Sequence, residues 1–260
     1  MSLEEIREAM NAAAHNFGTV RTIADNDLQR AYFRKLNSGE DNSLGAILNR
    51  VEAKEAKTHK RVQQEVDYDF ARTVLWKIFS TKLEAQNRKF KMEGNDMWVI
   101  QNLLKYFIGD DSSEFDLQKG ICLMGSVGPG KTFLLESFGR LASELKLAKA
   151  FKMVSTSDIY DRVAASQNKT VTMSRYYKGN VCFDDLGDEP LIYKDFGNDL
   201  AYVIRIFTKR YEAFSRGKIF TFATSNLEPK DLQERYGERF YDRFKQMFNA
   251  VVLTAPTKRK

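Results

Sequence analysis

From about residue 67 onward, apolar side chains fall into two alternating periods. In DYDFARTVLWKIFSTKLEAQNRKF (67–90), Leu75, Ile78 and Phe79 recur at helical spacing. In NDMWVIQNLLKYFIGDD (95–111), Ile100, Leu103, Leu104 and Phe107 follow the i, i+3, i+4, i+7 rule that lines one face of a helix. Asn95 is suited to start that helix and Gly109 to stop it. KGICLMG (119–125) is then a short unbroken apolar run of the kind a strand buried on both faces requires. KTFLLESFGRLASELK (131–146) returns to the helical period, with Leu134, Phe138, Leu141 and Leu145 on one stripe. The alternation continues: KAFKMV (149–154) reads as a strand, and TSDIYDRVAA (156–165) as a helix with Thr156 or Ser157 near its cap. NVCFDD (180–185) reads as a strand, NDLAYVIRIFTKRYEAFSRG (198–217) as a helix and KIFTFAT (218–224) as a strand. EPKDLQERYG (228–237) reads as a short helix with Pro229 in its first turn, and VVLTA (251–255) as a last strand. This order predicts an α/β domain with a largely parallel sheet.

Residues 1–66 have a different texture. LEEIREAMNAAAHNF (3–17) reads as a helix with Ile6, Met10 and Phe17 roughly on one side, NSGEDNS (37–43) as a loop, and RVEAKEAKTHKRVQQEV (50–66) as mixed charge. That last stretch is either a solvated helix or linker, or a docking arm for a partner protein. The division is a helical partner-binding region over 1–66 and a main domain over 67–260, with 67–117 as lead-in helices.

Composition narrows the class. The 260 residues are 43% hydrophobic, enough for one sizeable core and a smaller appendage. A net charge of +6 and a pI near 9.1 are compatible with a polyanionic partner without demanding one. Cys122 and Cys182 sit in apolar runs and read as core residues. With His15 and His59 they make neither a zinc spacing nor a disulfide framework, which favours a reducing compartment. The acidic start MSLEEIREAM is not a signal peptide, and no stretch approaches the ~20 apolar residues of a membrane span. The expectation is a soluble cytoplasmic protein.

The chemistry begins at GSVGPGKT, comprising Gly125, Ser126, Val127, Gly128, Pro129, Gly130, Lys131 and Thr132. It fits G-x-x-x-x-G-K-[ST], with an apolar strand before it and an amphipathic helix after it. The glycines let the backbone curl so that N–H groups face phosphate oxygens, and the following helix adds its positive end. Lys131 supplies charge to the β- and γ-phosphates, and Thr132 a hydroxyl ligand to Mg²⁺. In NVCFDDLGDE (180–189), a strand ends in Asp184 and Asp185, at the edge of a parallel sheet where ligands sit. Asp184 is placed to hold Mg²⁺ through water, and Asp185 to polarise an attacking water. Asp188 and Glu189 read as solvated. FTFATSNL (220–227) ends a third strand in Thr224, Ser225 and Asn226, whose amide can orient water beside a γ-phosphate.

Together GSVGPGKT, CFDDLGDE, the RY pair at 210–211, TSNL and YGERFYDRF (236–244) resemble the initiator-type branch of the AAA+ ATPases. Within it they are most similar to the DnaC/DnaI replicative helicase loaders and the IstB-type transposition ATPases. The resemblance spans roughly residues 67–255. It implies a P-loop fold, a parallel sheet flanked by helices and without a C-terminal helical lid. It implies ATP as the nucleotide, Gly125–Thr132 as Walker A, Asp184 and Asp185 as Walker B, and Asn226 as sensor 1. It matches the arginine finger to Arg243, with Arg239 second, reaching the pocket of a neighbouring subunit in a homo-oligomer. The residues alone leave Glu238, Arg239, Asp242 and Arg243 equally readable as helix-surface pairs.

The segment DRVAASQNKTVTMSRYYKGN (161–180) carries Arg162, Lys169, Arg175 and Lys178 beside Tyr176 and Tyr177. It is either a solvated helix and loop or a track for single-stranded DNA, since relatives of this branch carry an extra helical element there. The functional expectation is an ATP-hydrolysing replication protein, a DnaC-like helicase loader that binds single-stranded DNA and a DnaB-like replicative helicase. The alternative is an IstB-like transposition helper acting on duplex DNA. A small P-loop kinase would call for an arginine-rich lid segment, which the sequence does not show, and a barely hydrolysing nucleotide switch shares every motif.

Overall fold

A computed structural model describes residues 66–87, 95–128, 130–190, 193–195, 198–217 and 219–254. The unbroken apolar runs supply β1 (Gly120–Met124) and, beyond the half-buried edge strand β2 (Lys152–Ser155), β3 (Val181–Asp184). Two short strands, β4 (Tyr193–Asp195) and β5 (Asn198–Leu200), form a separate antiparallel pair. With β6 (Thr221–Ser225) and β7 (Phe248–Val252), the first three make one parallel sheet in the order β2-β3-β6-β1-β7. Every residue of β1 and β6 is buried, as strands covered on both faces must be. Gly120 permits their close approach, because a Cβ there would lie 1.7 Å from the Thr221 carbonyl oxygen.

Helices cover both faces and make two cores. On one side lie α1 (Tyr68–Ala85), α2 (Asp96–Ile108) and α3 (Lys131–Glu144). There Phe107 stacks between Phe138 and Phe222, with ring centroids 5.2 and 5.6 Å away. On the other side lie α4 (Thr156–Ala164), α5 (Lys169–Ser174), α6 (Tyr202–Phe214), α7 (Pro229–Tyr236) and α8 (Glu238–Met247). Phe207 is central to this second core, 4.9 Å from Phe183 and 5.3 Å from Phe240. A fold of this kind, a five-stranded parallel sheet between helices with a glycine-rich loop leaving β1, is the P-loop α/β architecture expected from the sequence. Among the described residues no helix is long and apolar enough to cross a membrane. The expected helical region over 1–66 lies almost wholly outside the described residues.

Some elements differ from the sequence pattern. The last strand is Phe248–Val252, not 251–255, because α8 passes into it without a loop and Phe248 already has extended backbone (φ −127°, ψ 145°). It is an edge strand, and the half-buried Asn249 interrupts its apolar run. The strand expected over 149–154 starts only at Lys152; Lys149 is instead buried against α2, donating to the Tyr106 carbonyl at 2.7 Å. The helix expected over 198–217 begins at Tyr202, because β5 occupies its first residues. Asn95 does precede α2, but its side chain makes no cap bond. It donates to the Val252 carbonyl and accepts from Thr254, tying the helix start to the end of β7. Gly109 stops α2 in the left-handed conformation (φ 81°), as expected.

Arg210 is the largest fully buried side chain among the described residues. Its guanidinium donates to Thr221 Oγ1 and to the carbonyls of Tyr176, Gly179 and Phe220, and lies 5.3 Å from the Phe183 ring centre. Burial pushes its pKa down to about 9, which still leaves it charged at neutral pH. Arg210, the first of the RY pair noted in the sequence, is therefore a clamp joining α6, β6 and the loop after α5. Orphaned buried acceptors cost about 1–3 kcal/mol each, so Arg210→Met is expected to lose on the order of 3 kcal/mol or more, read as a lowered urea midpoint.

Candidate nucleotide site

β1 ends at Met124 and the chain turns at Gly125 with φ 130°. A Cβ at that position would meet the Leu253 carbonyl oxygen at 2.7 Å, so glycine is required on two counts. Ser126 and Val127 are exposed on the loop and Gly128 is half-buried, while Pro129 lies outside the described residues. Gly130, at φ 89°, is the left-handed N-cap of α3. The loop thus delivers the chain directly into a helix N-terminus, the positive end of its dipole.

Lys131 is the first residue of α3 and is only 4% exposed. Its ammonium donates to the carbonyls of Gly125 and Ser126 and to Asn226 Oδ1, each at 2.9 Å. The structure thereby joins the loop lysine to the asparagine singled out at the end of β6. These are bonds that anionic phosphate oxygens can replace with stronger, charge-assisted ones.

Thr132 Oγ1 donates to Asp184 Oδ1 at 2.9 Å. The same carboxylate oxygen accepts from Thr224 Oγ1 at 2.6 Å, and Thr224 Oγ1 in turn accepts the Asp185 N–H at 2.8 Å. Thr156, next to the Ser155 N-cap of α4 as expected, donates its hydroxyl to the Asp185 carbonyl at 2.8 Å. Asp185 itself has φ 54°, a conformation that costs a non-glycine residue energy and is held here by threonine hydroxyls on both sides. It is half-buried.

The donor set suits a hard cation. Thr132 and Asp184 offer a hydroxyl and a carboxylate side by side, and Mg²⁺ binds through one or two such oxygens together with substrate phosphates. Among the described residues no group of three or more His, Cys, Asp or Glu could hold a metal unaided.

Glu189 departs from its sequence reading. It is 2% exposed, not solvated. Its carboxylate accepts from the Gly187 N–H at 3.0 Å and from the Tyr236 hydroxyl, and its carbonyl accepts from Arg235. Burial, and then the Glu189 charge, hold the Tyr236 hydroxyl well above the usual tyrosine range, so it stays a proton donor.

Arg239 and Arg243 lie on α8 and line a cavity of about 220 Å³ shared with Ile204, Phe207 and Thr208 of α6. Arg243 is half-buried: it donates to Thr208 Oγ1 at 2.8 Å and lies 5.2 Å from the Tyr211 ring centre. Arg239 is exposed. Among the described residues neither hydrogen-bonds to the 125–132 loop, and Asp242 pairs with Lys245 (2.8 Å). Arg162, Arg175 and Lys178 are exposed, and Lys169 opens α5. Tyr176 and Tyr177 pack half-buried against the second core, which leaves less of each ring for stacking on bases.

Fold and site together define a parallel α/β domain whose glycine-rich loop, lysine, threonine and aspartate converge at one sheet edge. No family model matches the chain, and no curated protein matches it. Among solved structures it is similar to DnaI at 19% identity, with a TM-score of 0.49 over 66% of this chain and 88% of that one. It is similar also to the DnaC helicase loader (20%, TM-score 0.48, 64% and 94%). A third likeness is to domain III of the Thermotoga maritima replication initiation protein DnaA (18%, TM-score 0.45, 64% and 65%).

Proposed function

We propose that this chain is an Mg²⁺-dependent ATPase of DNA replication, a DnaC-like helicase loader that assembles with copies of itself and binds single-stranded DNA. One observation carries the nucleotide reading. Lys131, Thr132, Asp184 and Asn226, drawn from three separate strand ends, meet within hydrogen-bond reach at the C-terminal edge of a parallel sheet.

In this reading the loop N–H groups and the N-terminus of α3 cradle the phosphates, and Lys131 takes the β- and γ-oxygens. Thr132 and Asp184 hold Mg²⁺, which when bound neutralises charge on the phosphates. Asp185 receives the proton of the attacking water, and Asn226 orients that water. A guanidinium from α8 of the next protomer, Arg243 or Arg239, stabilises charge on the transferring phosphoryl group. Phosphate release from ATP, measured with and without chelation of Mg²⁺ and with and without single-stranded DNA, tests this; turnover indifferent to chelation would contradict it.

Thr224 belongs to the same machinery. Thr224→Val removes the hydroxyl behind Asp184 and the acceptor for the Asp185 N–H. Loss of a partner behind a metal ligand costs about 10–100-fold in metal affinity or activity, so the Mg²⁺ concentration giving half-maximal turnover is expected to rise. A Mg²⁺ titration checks it.

The loader reading is supported by the five motifs that resemble helicase loaders and by the basic segment between β2 and β3. Reversing the charges of Arg162, Arg175 and Lys178 is expected to weaken single-stranded DNA binding evenly across sequences. It should also flatten the salt dependence by about 0.7 in log–log slope for each phosphate no longer neutralised. A pull-down with a replicative helicase that depends on residues 1–66 supports a loader. Its failure, with assembly on duplex DNA and recruitment of a transposase, favours the IstB-like helper.

A further inference from the structure

A carboxylate is costly to bury, and Glu189 is buried outside the set of residues that meets the nucleotide. It sits on the turn that follows Asp185. That turn is fastened to β6 by the Leu186 N–H on the Thr224 carbonyl (2.8 Å) and by Ser225 Oγ on the Leu186 carbonyl (2.6 Å). From there Glu189 reaches across to α7, accepting the Tyr236 hydroxyl while Arg235 donates to its carbonyl. Tyr236 is the last residue of α7. Its ring lies 4.5 Å from that of Phe240 in α8, and it lines the same cavity as Arg239 and Arg243. Only Gly237 separates the two helices. A continuous line of packed groups therefore runs from the Asp185 turn to the helix that carries both arginines.

We propose that Glu189 is a positioning residue for the neighbouring protomer's reaction: it hangs α7 and α8 from the Asp185 turn and so sets where the α8 arginines are presented. The proposal rests on the reading that those arginines act in trans. Its consequence is directional. Glu189 serves the pocket its protomer donates to more than the pocket its protomer owns.

The test uses mixtures of two full-length variants. The donor carries Lys131→Ala and keeps its arginines; the receiver carries Arg239→Ala with Arg243→Ala and keeps its phosphate loop. Glu189→Gln is placed in one or the other, and ATP turnover is followed against ATP concentration. In the donor it is expected to lower kcat about 10-fold or more with KM little moved, since misplacing a reacting group by ~1 Å costs on the order of 100-fold. In the receiver the loss is expected to be far smaller. A general structural defect acts on both alike, so equal losses, or a loss confined to the receiver, overturn the proposal. Should the Glu189→Gln donor fail to fold, Tyr236→Phe, which removes a single oxygen, decides by the same donor-to-receiver ratio. If donor and receiver do not complement at all while wild type hydrolyses ATP, the trans reading falls and this proposal with it. Complementation that is indifferent to Glu189 overturns this proposal alone.

Discussion

Lys131→Ala is expected to abolish ATP turnover. Removing one preorganised group aimed at developing charge costs about 10²–10³-fold, and Lys131 serves the ground state as well, so nucleotide affinity should fall with it. The geometry makes the effect larger than loss of a surface charge. The ammonium is buried, 4% exposed, and bridges two strand ends through Gly125, Ser126 and Asn226. Titration with a fluorescent ATP analogue and a phosphate-release assay, beside a thermal melt showing that the variant folds, check it. Wild-type turnover in a folded Lys131→Ala protein would remove the loop from the reaction.

The second large effect is at the α8 arginines. Loss of an arginine that stabilises phosphoryl-transfer charge costs about 10³–10⁵ in rate. The two positions differ in their surroundings. Arg243 is held in its own protomer by Thr208 and Tyr211, whereas Arg239, one turn earlier, is exposed. Arg243→Ala is expected to lower kcat while ATP affinity stays near wild type, because the group is needed in the transition state and not for binding. Arg243→Lys is not expected to restore the rate, since an ammonium lacks the planar fork. If Arg243→Ala retains wild-type kcat and Arg239→Ala does not, the role passes to Arg239.

Legible in the sequence is whatever is written in neighbouring residues. The glycine-rich loop is one such feature: glycines at set positions, a lysine and a hydroxyl, between an apolar strand and a helical stripe. The ends of β3 and β6 are two more, because buried parallel strands show as unbroken apolar runs that stop at polar residues. Edge strands lack that signature, so the run VVLTA points past the start of β7. The start of α6 is obscured because backbone pairing between β4 and β5 takes hydrogen bonds that a longer helix would use. Least legible are the roles made by long-range packing. Nothing near Glu189 announces that Tyr236, 47 positions away, will bury it. Arg210 looks like part of a motif and is a clamp on four oxygens. Thr224 looks like the end of a strand and orients both aspartates.

The central claim is that one protomer cradles the triphosphate and the next completes its site. Its most direct measurement is phosphate release from an equimolar mixture of Lys131→Ala and the Arg239→Ala, Arg243→Ala double variant, each inactive alone. The account predicts that mixing restores turnover, because a mixed interface can join an intact loop to intact arginines. A mixture as inactive as its components, or a wild-type protein that hydrolyses ATP at full rate as a dilute monomer, would contradict it.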